Sequence, residues 1–100
     1  MRRMFFMRRQ PAAPTFLKPE STNAFRVRVR TARRGEVIEV RLTKSGDISP
    51  GEGGGYYVRK VLVGATHFDR ATLEIAWGAN YSKPVVTVDG GEAIPLGEWQ

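Results

Sequence analysis

The stretch that most constrains the fold runs from Phe25 to Lys44, because it alternates apolar and polar side chains twice. Residues 25–30 read FRVRVR and residues 38–43 read IEVRLT. A period of two places the apolar side chains on one face of a strand and the charged ones on the other. Gly35 lies between the two halves and supplies the positive φ that a hairpin loop needs. We therefore predict a β-hairpin with one core face and one arginine-rich face.

The rest of the chain continues in short strands separated by turn residues. Further strands are predicted over residues 56–65, 72–77, 84–88 and 93–99, the last limited to a sheet edge by Pro95. The parity of apolar residues changes within the first of these, which predicts a bulge near Arg59 and Lys60. Asp89-Gly90-Gly91-Glu92 predicts a second hairpin. No helical pattern of useful length is present, so the fold class is all-β, a small antiparallel immunoglobulin-like sandwich, with a small barrel as the alternative.

The chain is predicted to divide at residue 24. Residues 1–24 carry Pro11, Pro14 and Pro19, which fix φ and remove hydrogen-bond donors, so this segment is expected to be an extended arm. Residues 25–100 are predicted to form the sandwich domain. An arm of this kind has no core of its own and becomes ordered against a partner.

Positive charge is concentrated in the first third of the chain. Residues 1–34 contain ten Lys or Arg and one acid, Glu20, whereas residues 35–100 contain six Lys or Arg and nine acids. An anionic partner is therefore expected to meet the N-terminal third. The candidate partner-binding residues are Arg2, Arg3, Phe5, Phe6, Arg8, Arg9, Arg26, Arg28, Arg30, Arg33 and Arg34.

Four interpretations remain open for the arm and two for the arginine face. Arginines around Phe5 and Phe6 suit nucleic-acid phosphates and bases, and they also suit an anionic membrane or a groove on a protein; the alternative is a solvated tail. Arg26, Arg28, Arg30 and Arg41 form either a docking surface for an acidic partner or an ordinary solvated sheet face. In the second case Glu39 is expected opposite one of the arginines.

Patterns typical of catalysis or cofactor binding are weak. Gly51 to Gly55 suggests a phosphate loop, but no Gly-Lys-Ser/Thr follows and the next residues predict a strand, so a mobile loop is favoured. His67 is the only histidine, and Thr66 and Asp69 are its neighbours only in sequence. Asn80 fits a glycosylation pattern, although a turn residue is the better interpretation. We predict no enzyme activity, no metal site and no cofactor.

Several segments resemble the Z subunit of the bacterial thiosulfate-oxidation carrier. The resemblance lies in residues 26–29 (RVRV), in residues 32–40 (ARRGEVIEV) and in residues 72–77 (TLEIAW), which is similar to that family's late strand ending in tryptophan. It implies an immunoglobulin-like sandwich without catalytic residues that pairs with a sulfur-carrying subunit. The basic arm is a departure from the family pattern.

The leading functional hypothesis is a non-enzymatic accessory or structural subunit of a larger assembly. Other protein subunits are the expected partners, and the arm and the sheet face are the expected contacts. A nucleic-acid-binding module in a ribonucleoprotein or virion is the first alternative, and a sulfur-carrier scaffold is the second. Met4 to Met7 is too short for a secretory signal core and no apolar stretch reaches membrane-span length, so the cytoplasm or a particle is favoured.

Overall fold

The computed structural model describes residues 15–99, in which eight strands form two antiparallel sheets. Sheet A contains β1 (Lys18–Ser21), β2 (Ala24–Thr31), β3 (Val37–Thr43) and β8 (Gly91–Ala93). Sheet B contains β4 (Ser49–Pro50), β5 (Tyr56–Val63), β6 (Arg70–Trp77) and β7 (Val85–Asp89). The predicted all-β sandwich is confirmed.

The hairpin predicted from the alternating stretch is formed by β2 and β3. Val27 pairs with Val40 and Val29 pairs with Ile38, so apolar residues of the two strands share the inner face. Gly35 has φ of 69°, as the loop requires.

Sheet A begins inside the segment predicted as an arm. Lys18 of β1 pairs with Arg26, and Leu17 is buried in the core. Pro19 does not prevent pairing, because it lies in an edge strand where a missing N–H is tolerated. The folded domain therefore starts before residue 24.

The core lies between the inner faces of the two sheets. Its fully buried large side chains are Val27, Val29 and Leu42 from sheet A and Leu73 and Ile75 from sheet B. Burying one such side chain contributes about 1.5–3 kcal/mol, so these contacts hold the sheets together.

The bulge predicted near Arg59 and Lys60 is wrong. Strand β5 pairs with β6 without a register shift, from Tyr56 opposite Trp77 to Val63 opposite Arg70. Val58 and Leu62 are buried, whereas Val61 and Val63 are about half exposed. Lys60 takes an inward position, because its aliphatic stem tolerates burial while its Nζ reaches Asp47 Oδ1 at 3.0 Å.

The predicted second hairpin is also wrong, although the chain does turn at Gly90, which has φ of 85°. Strand β7 pairs with β6 in sheet B, whereas β8 pairs with β2 in sheet A, with Arg30 opposite Glu92. The last strand ends at Ala93, and residues Leu96–Glu98 form a 3₁₀ turn. Within residues 15–99, no helix has the length and apolarity needed to cross a bilayer.

Candidate docking site at the arginine tip

Three loops meet at one end of the sandwich. They connect β2 to β3, β5 to β6 and β7 to β8, and the backbone N–H of Ala32 donates to Gly90 O at 2.9 Å. The first two loops surround a depression of about 480 Å³. We call the exposed side chains around it the arginine tip; they are Arg33, Arg34, His67, Phe68 and Arg70.

Asp69 joins two of these loops from below the tip. Its side chain is buried, and Oδ2 accepts hydrogen bonds from Thr31 Oγ1 at 2.7 Å and from the backbone N–H of Arg34 at 3.0 Å. Thr31 is also buried, and its Oγ1 accepts from the backbone N–H of Glu36 at 2.9 Å. Buried polar groups satisfied in this way rigidify their surroundings. These hydrogen bonds therefore tie the two loops to each other.

Glu36 makes a second connection between the same loops. Its carboxylate accepts from the backbone N–H groups of Thr66 at 2.7 Å and of His67 at 3.2 Å. A Cβ at Gly64 would lie 2.0 Å from Glu36 Oε1, so glycine leaves room for the carboxylate there. The carboxylates of Asp69 and Glu36 are thus bound to backbone amides and to a hydroxyl.

The arginines of the tip are free of ion pairs within the described part of the chain. Arg33, Arg34 and Arg70 are exposed, and none of them forms a salt bridge with residues 15–99. Arg34 Nη1 lies 3.2 Å from His67 Nδ1. A guanidinium only donates hydrogen bonds, so Nδ1 is the acceptor in this contact. The tip presents guanidinium groups available to an external anion.

Phe68 lines the same depression as these arginines. It is 71% exposed, and its φ of 58° lies in the left-handed region, which bulky residues rarely adopt. Strain of this kind costs on the order of 1–3 kcal/mol and is found mainly where function needs a defined geometry. The strained turn holds an aromatic ring in solvent beside three arginines.

The arginine face of sheet A is charge-compensated by its own chain. Glu39 lies opposite Arg28, as expected, and its carboxylate accepts from Arg28 Nε at 2.8 Å and from Arg26 Nη1. These hydrogen bonds hold the pKa of Glu39 below its ordinary value. Glu20 accepts from Arg26 and Arg41, which likewise hold its pKa below the ordinary value.

The remaining arginines of that face are engaged as well. Arg30 forms a salt bridge with Glu92, and the guanidinium of Arg28 stacks on the Trp99 ring at 4.4 Å from its centroid. Trp99 Nε1 donates to Ile94 O at 3.0 Å, which fixes the ring on the sheet. Because its arginines are paired within the chain, this face fits the interpretation as a solvated sheet face better than the interpretation as a docking surface.

An aromatic depression of about 370 Å³ opens at the opposite end of the sandwich. Trp77 lies on its wall, stacked on Phe25 with ring centroids 5.7 Å apart, and Tyr81 meets Trp77 edge-on at 5.5 Å. Lys44 Nζ lies 4.4 Å from the centroid of Tyr81, and desolvation raises the pKa of the Tyr81 hydroxyl. Much of the aromatic surface at this end is already occupied by neighbouring rings and by the lysine.

The weaker motifs take structural positions. Glu52–Gly54 form a 3₁₀ turn that leads into β5, so the glycine-rich segment does run into a strand. Asn80 has φ of 57° in the turn after β6, consistent with a turn asparagine. The Asp69 carboxylate bonds to Thr31 and Arg34, and His67 bonds to Arg34. Within residues 15–99, no group of three His, Asp or Glu side chains could hold a metal ion.

The predicted site residues thus fall into three groups. Arg33 and Arg34 lie in the arginine tip, and Arg26, Arg28 and Arg30 lie in the paired sheet face. The arm residues lie outside the described part of the chain; they are Arg2, Arg3, Phe5, Phe6, Arg8 and Arg9. Sequence reasoning missed Phe68 and Arg70, whose only local signal is a lone aromatic beside charges in a turn.

Comparison with protein-family models, with curated proteins and with solved structures gives no match for this chain. The resemblance to the thiosulfate-oxidation Z subunit stays a prediction.

Proposed function

We propose that this protein is a non-enzymatic accessory subunit of a larger macromolecular assembly and that it docks onto an acidic protein surface through the arginine tip. The observation that supports this most directly is the set of arginines around the exposed Phe68 that form no salt bridge within residues 15–99. Aromatic residues and arginines are the side chains that contribute most to protein interfaces.

The rigidity of the tip favours the same role. Hydrogen bonds accepted by the carboxylates of Asp69 and Glu36 hold both loops in place in the free protein. A pre-ordered surface loses less conformational entropy on binding, so more of its contact energy appears as affinity. The basic arm is proposed as a second contact, and the cytoplasm or the interior of a particle is the proposed compartment.

Affinity purification from native extract, followed by measurement of the dissociation constant of each captured protein, tests this proposal. The tip variant carries Arg33→Glu, Arg34→Glu and Arg70→Glu, and the control variant carries Lys18→Glu, Arg59→Glu and Lys83→Glu at exposed positions outside the tip. Both variants change the net charge equally. We expect the tip variant to weaken partner binding by about tenfold or more, because opposite charges across an interface become like charges.

Nuclease treatment and the control variant separate the alternatives. Binding that survives nuclease and is lost only in the tip variant supports the proposal. Equal loss in both variants would indicate attraction by net charge alone, and full binding by the tip variant would overturn the assigned site.

A nucleic-acid-binding module is the second candidate, favoured by the same juxtaposition of arginines with Phe68. Guanidinium groups contact phosphates, and an exposed ring stacks on an unpaired base. Titration with a single-stranded oligonucleotide at several salt concentrations tests it. A phosphate-binding tip predicts that the tip variant lowers the slope of log affinity against log salt by about 2, since each contact with a single strand contributes about 0.7.

A further inference from the structure

Strand β3 uses only one of its edges within the described part of the chain. It pairs with β2 from Val37 opposite Arg30 to Thr43 opposite Ala24. Strands β1 and β8 pair with different parts of β2, and among residues 15–99 no strand pairs with the outer edge of β3. An edge of this length is a template for another strand.

The backbone direction shows which groups face that edge. The N–H of Lys44 donates to Asn23 O, and the N–H of Thr31 donates to Glu36 O, so even-numbered residues of this segment bond toward β2. In an antiparallel strand the alternate residues point the other way. The backbone N–H and C=O of Val37, Glu39 and Arg41 therefore face outward.

The end of the same edge is closed by the chain itself. The N–H of Thr43 donates to Asp47 Oδ2 at 2.8 Å, and its C=O accepts from the backbone N–H groups of Asp47 and Ile48. The open part of the edge thus runs from Val37 to Arg41.

The side chains along this edge leave apolar surface incompletely covered. Ile38 and Val40 point to the inner face and pack against the core, yet both are only partly buried. Their exposure results from the missing neighbour on the outer side of β3. A further strand there would cover them.

We propose that the outer edge of β3 pairs with β3 of a second copy of this chain. The sequence of the strand is nearly self-complementary when it is laid antiparallel on itself with the two-fold axis at Val40. Glu39 then lies opposite Arg41 of the second copy, and Arg41 lies opposite its Glu39. Both positions carry outward-facing backbone groups, so each of these pairs exchanges both backbone hydrogen bonds. Sheet A continues from one copy into the other.

Charge selects this register over its neighbours. A shift of the axis to residue 39 would place Glu39 opposite Glu39, and a shift to residue 41 would place Arg41 opposite Arg41. Like charges directly opposite each other destabilise a pair of strands, whereas opposite charges stabilise it. A one-residue slip would bring an outward-facing backbone group against an inward-facing one and would reverse the faces.

Two charge reversals test the pairing by sedimentation velocity over a wide range of concentrations of the full chain. The Glu39→Arg variant places arginine opposite arginine, and the Arg41→Glu variant places glutamate opposite glutamate. Each alone is expected to raise the dimer dissociation constant by about tenfold or more. An equimolar mixture of the two restores both ion pairs, so it is expected to form a heterodimer. Arg59→Glu, on the outer face of sheet B, is the matched control and is expected to dimerise as the parent does.

A further variant tests the edge without reversing a charge on the hairpin. Arg41→Pro removes an N–H that faces away from β2, so the hairpin keeps its own hydrogen bonds while the contact with a second copy is lost. A cooperative thermal transition confirms that each variant is folded. A parent chain that stays monomeric at every concentration would overturn the proposal. A dimer whose dissociation constant is unchanged by the substitutions at residues 39 and 41 would also overturn it.

Discussion

At Phe68 the backbone conformation that the residue prefers differs from the one that the surrounding structure imposes. Its left-handed backbone is unfavourable for a residue with a Cβ, and its ring gains little burial in return. The conformation persists because Asp69, the next residue, is held by Thr31 and by the Arg34 backbone. The hydrogen bonds of a neighbour thus impose the strain on Phe68.

Replacing this residue is expected to stabilise the isolated protein. Asparagine tolerates the left-handed region, so Phe68→Asn should raise the free energy of unfolding by about 1 kcal/mol, measured by denaturant titration. Phe68→Ala is the control, because it removes the exposed ring but keeps the backbone penalty. An equal gain in both variants would attribute the effect to the ring instead of the backbone.

Strands β5 and β6 show a close approach that depends on one missing side chain. Gly55 precedes β5 with φ of −94°, so its backbone conformation does not itself require glycine. A Cβ there would lie 2.1 Å from the carbonyl oxygen of Trp77, at the end of β6. Tyr56 and Trp77 can pair at the ends of the two strands only because residue 55 has no side chain.

A methyl group at this position is expected to separate the strand ends. Gly55→Ala should lower the free energy of unfolding by about 1–3 kcal/mol, since backbone atoms have to shift to relieve the overlap. Gly97→Ala is the matched control, because a Cβ there meets no atom within 4 Å. Thermal unfolding of both variants measures the difference. Equal melting temperatures would show that β5 and β6 accommodate the methyl group without loss of stability.

The two sheets are joined by a polar contact at their margin as well as by the core. Lys60 belongs to β5 in sheet B, and Asp47 follows β3 of sheet A. Asp47 accepts from Lys60 Nζ at 3.0 Å and from the Thr43 backbone at 2.8 Å. The Thr43 hydrogen bond, with that of Lys60, holds the pKa of Asp47 below its ordinary value of 3.8.

This shift predicts a pH-dependent contribution to the stability of the whole molecule. The folded state binds the proton of Asp47 less tightly than the unfolded chain does, so the contribution is complete above pH 3.8. It is lost as the pH falls through the lower folded value. The difference in unfolding free energy between the parent and Asp47→Asn should therefore be largest near neutrality and shrink in acid. Asp89→Asn, an exposed residue at the end of β7, is the control.

The period-two pattern was enough to predict much of this fold. Alternation from Phe25 to Leu42 determines which side chains face the core, and Gly35 determines where the hairpin turns, because both depend on residues close in the chain. Arg28 and Glu39 were predictable as cross-strand neighbours for the same reason. The sandwich follows from several such strands with few helical signals.

Tertiary packing alone determined the order of the strands in the sheets and the composition of the arginine tip. Local alternation indicates which face of a strand is buried, but it does not indicate which strand lies at its edge. Strand β8 pairs with β2 across more than half the chain, and Lys60 turns inward because Asp47, in the turn between β3 and β4, receives its charge. Phe68 and Arg70 join Arg33 and Arg34 for the same reason, since a buried Asp69–Thr31 hydrogen bond brings two distant loops together. A long-range contact of this kind depends on the packing of the complete fold.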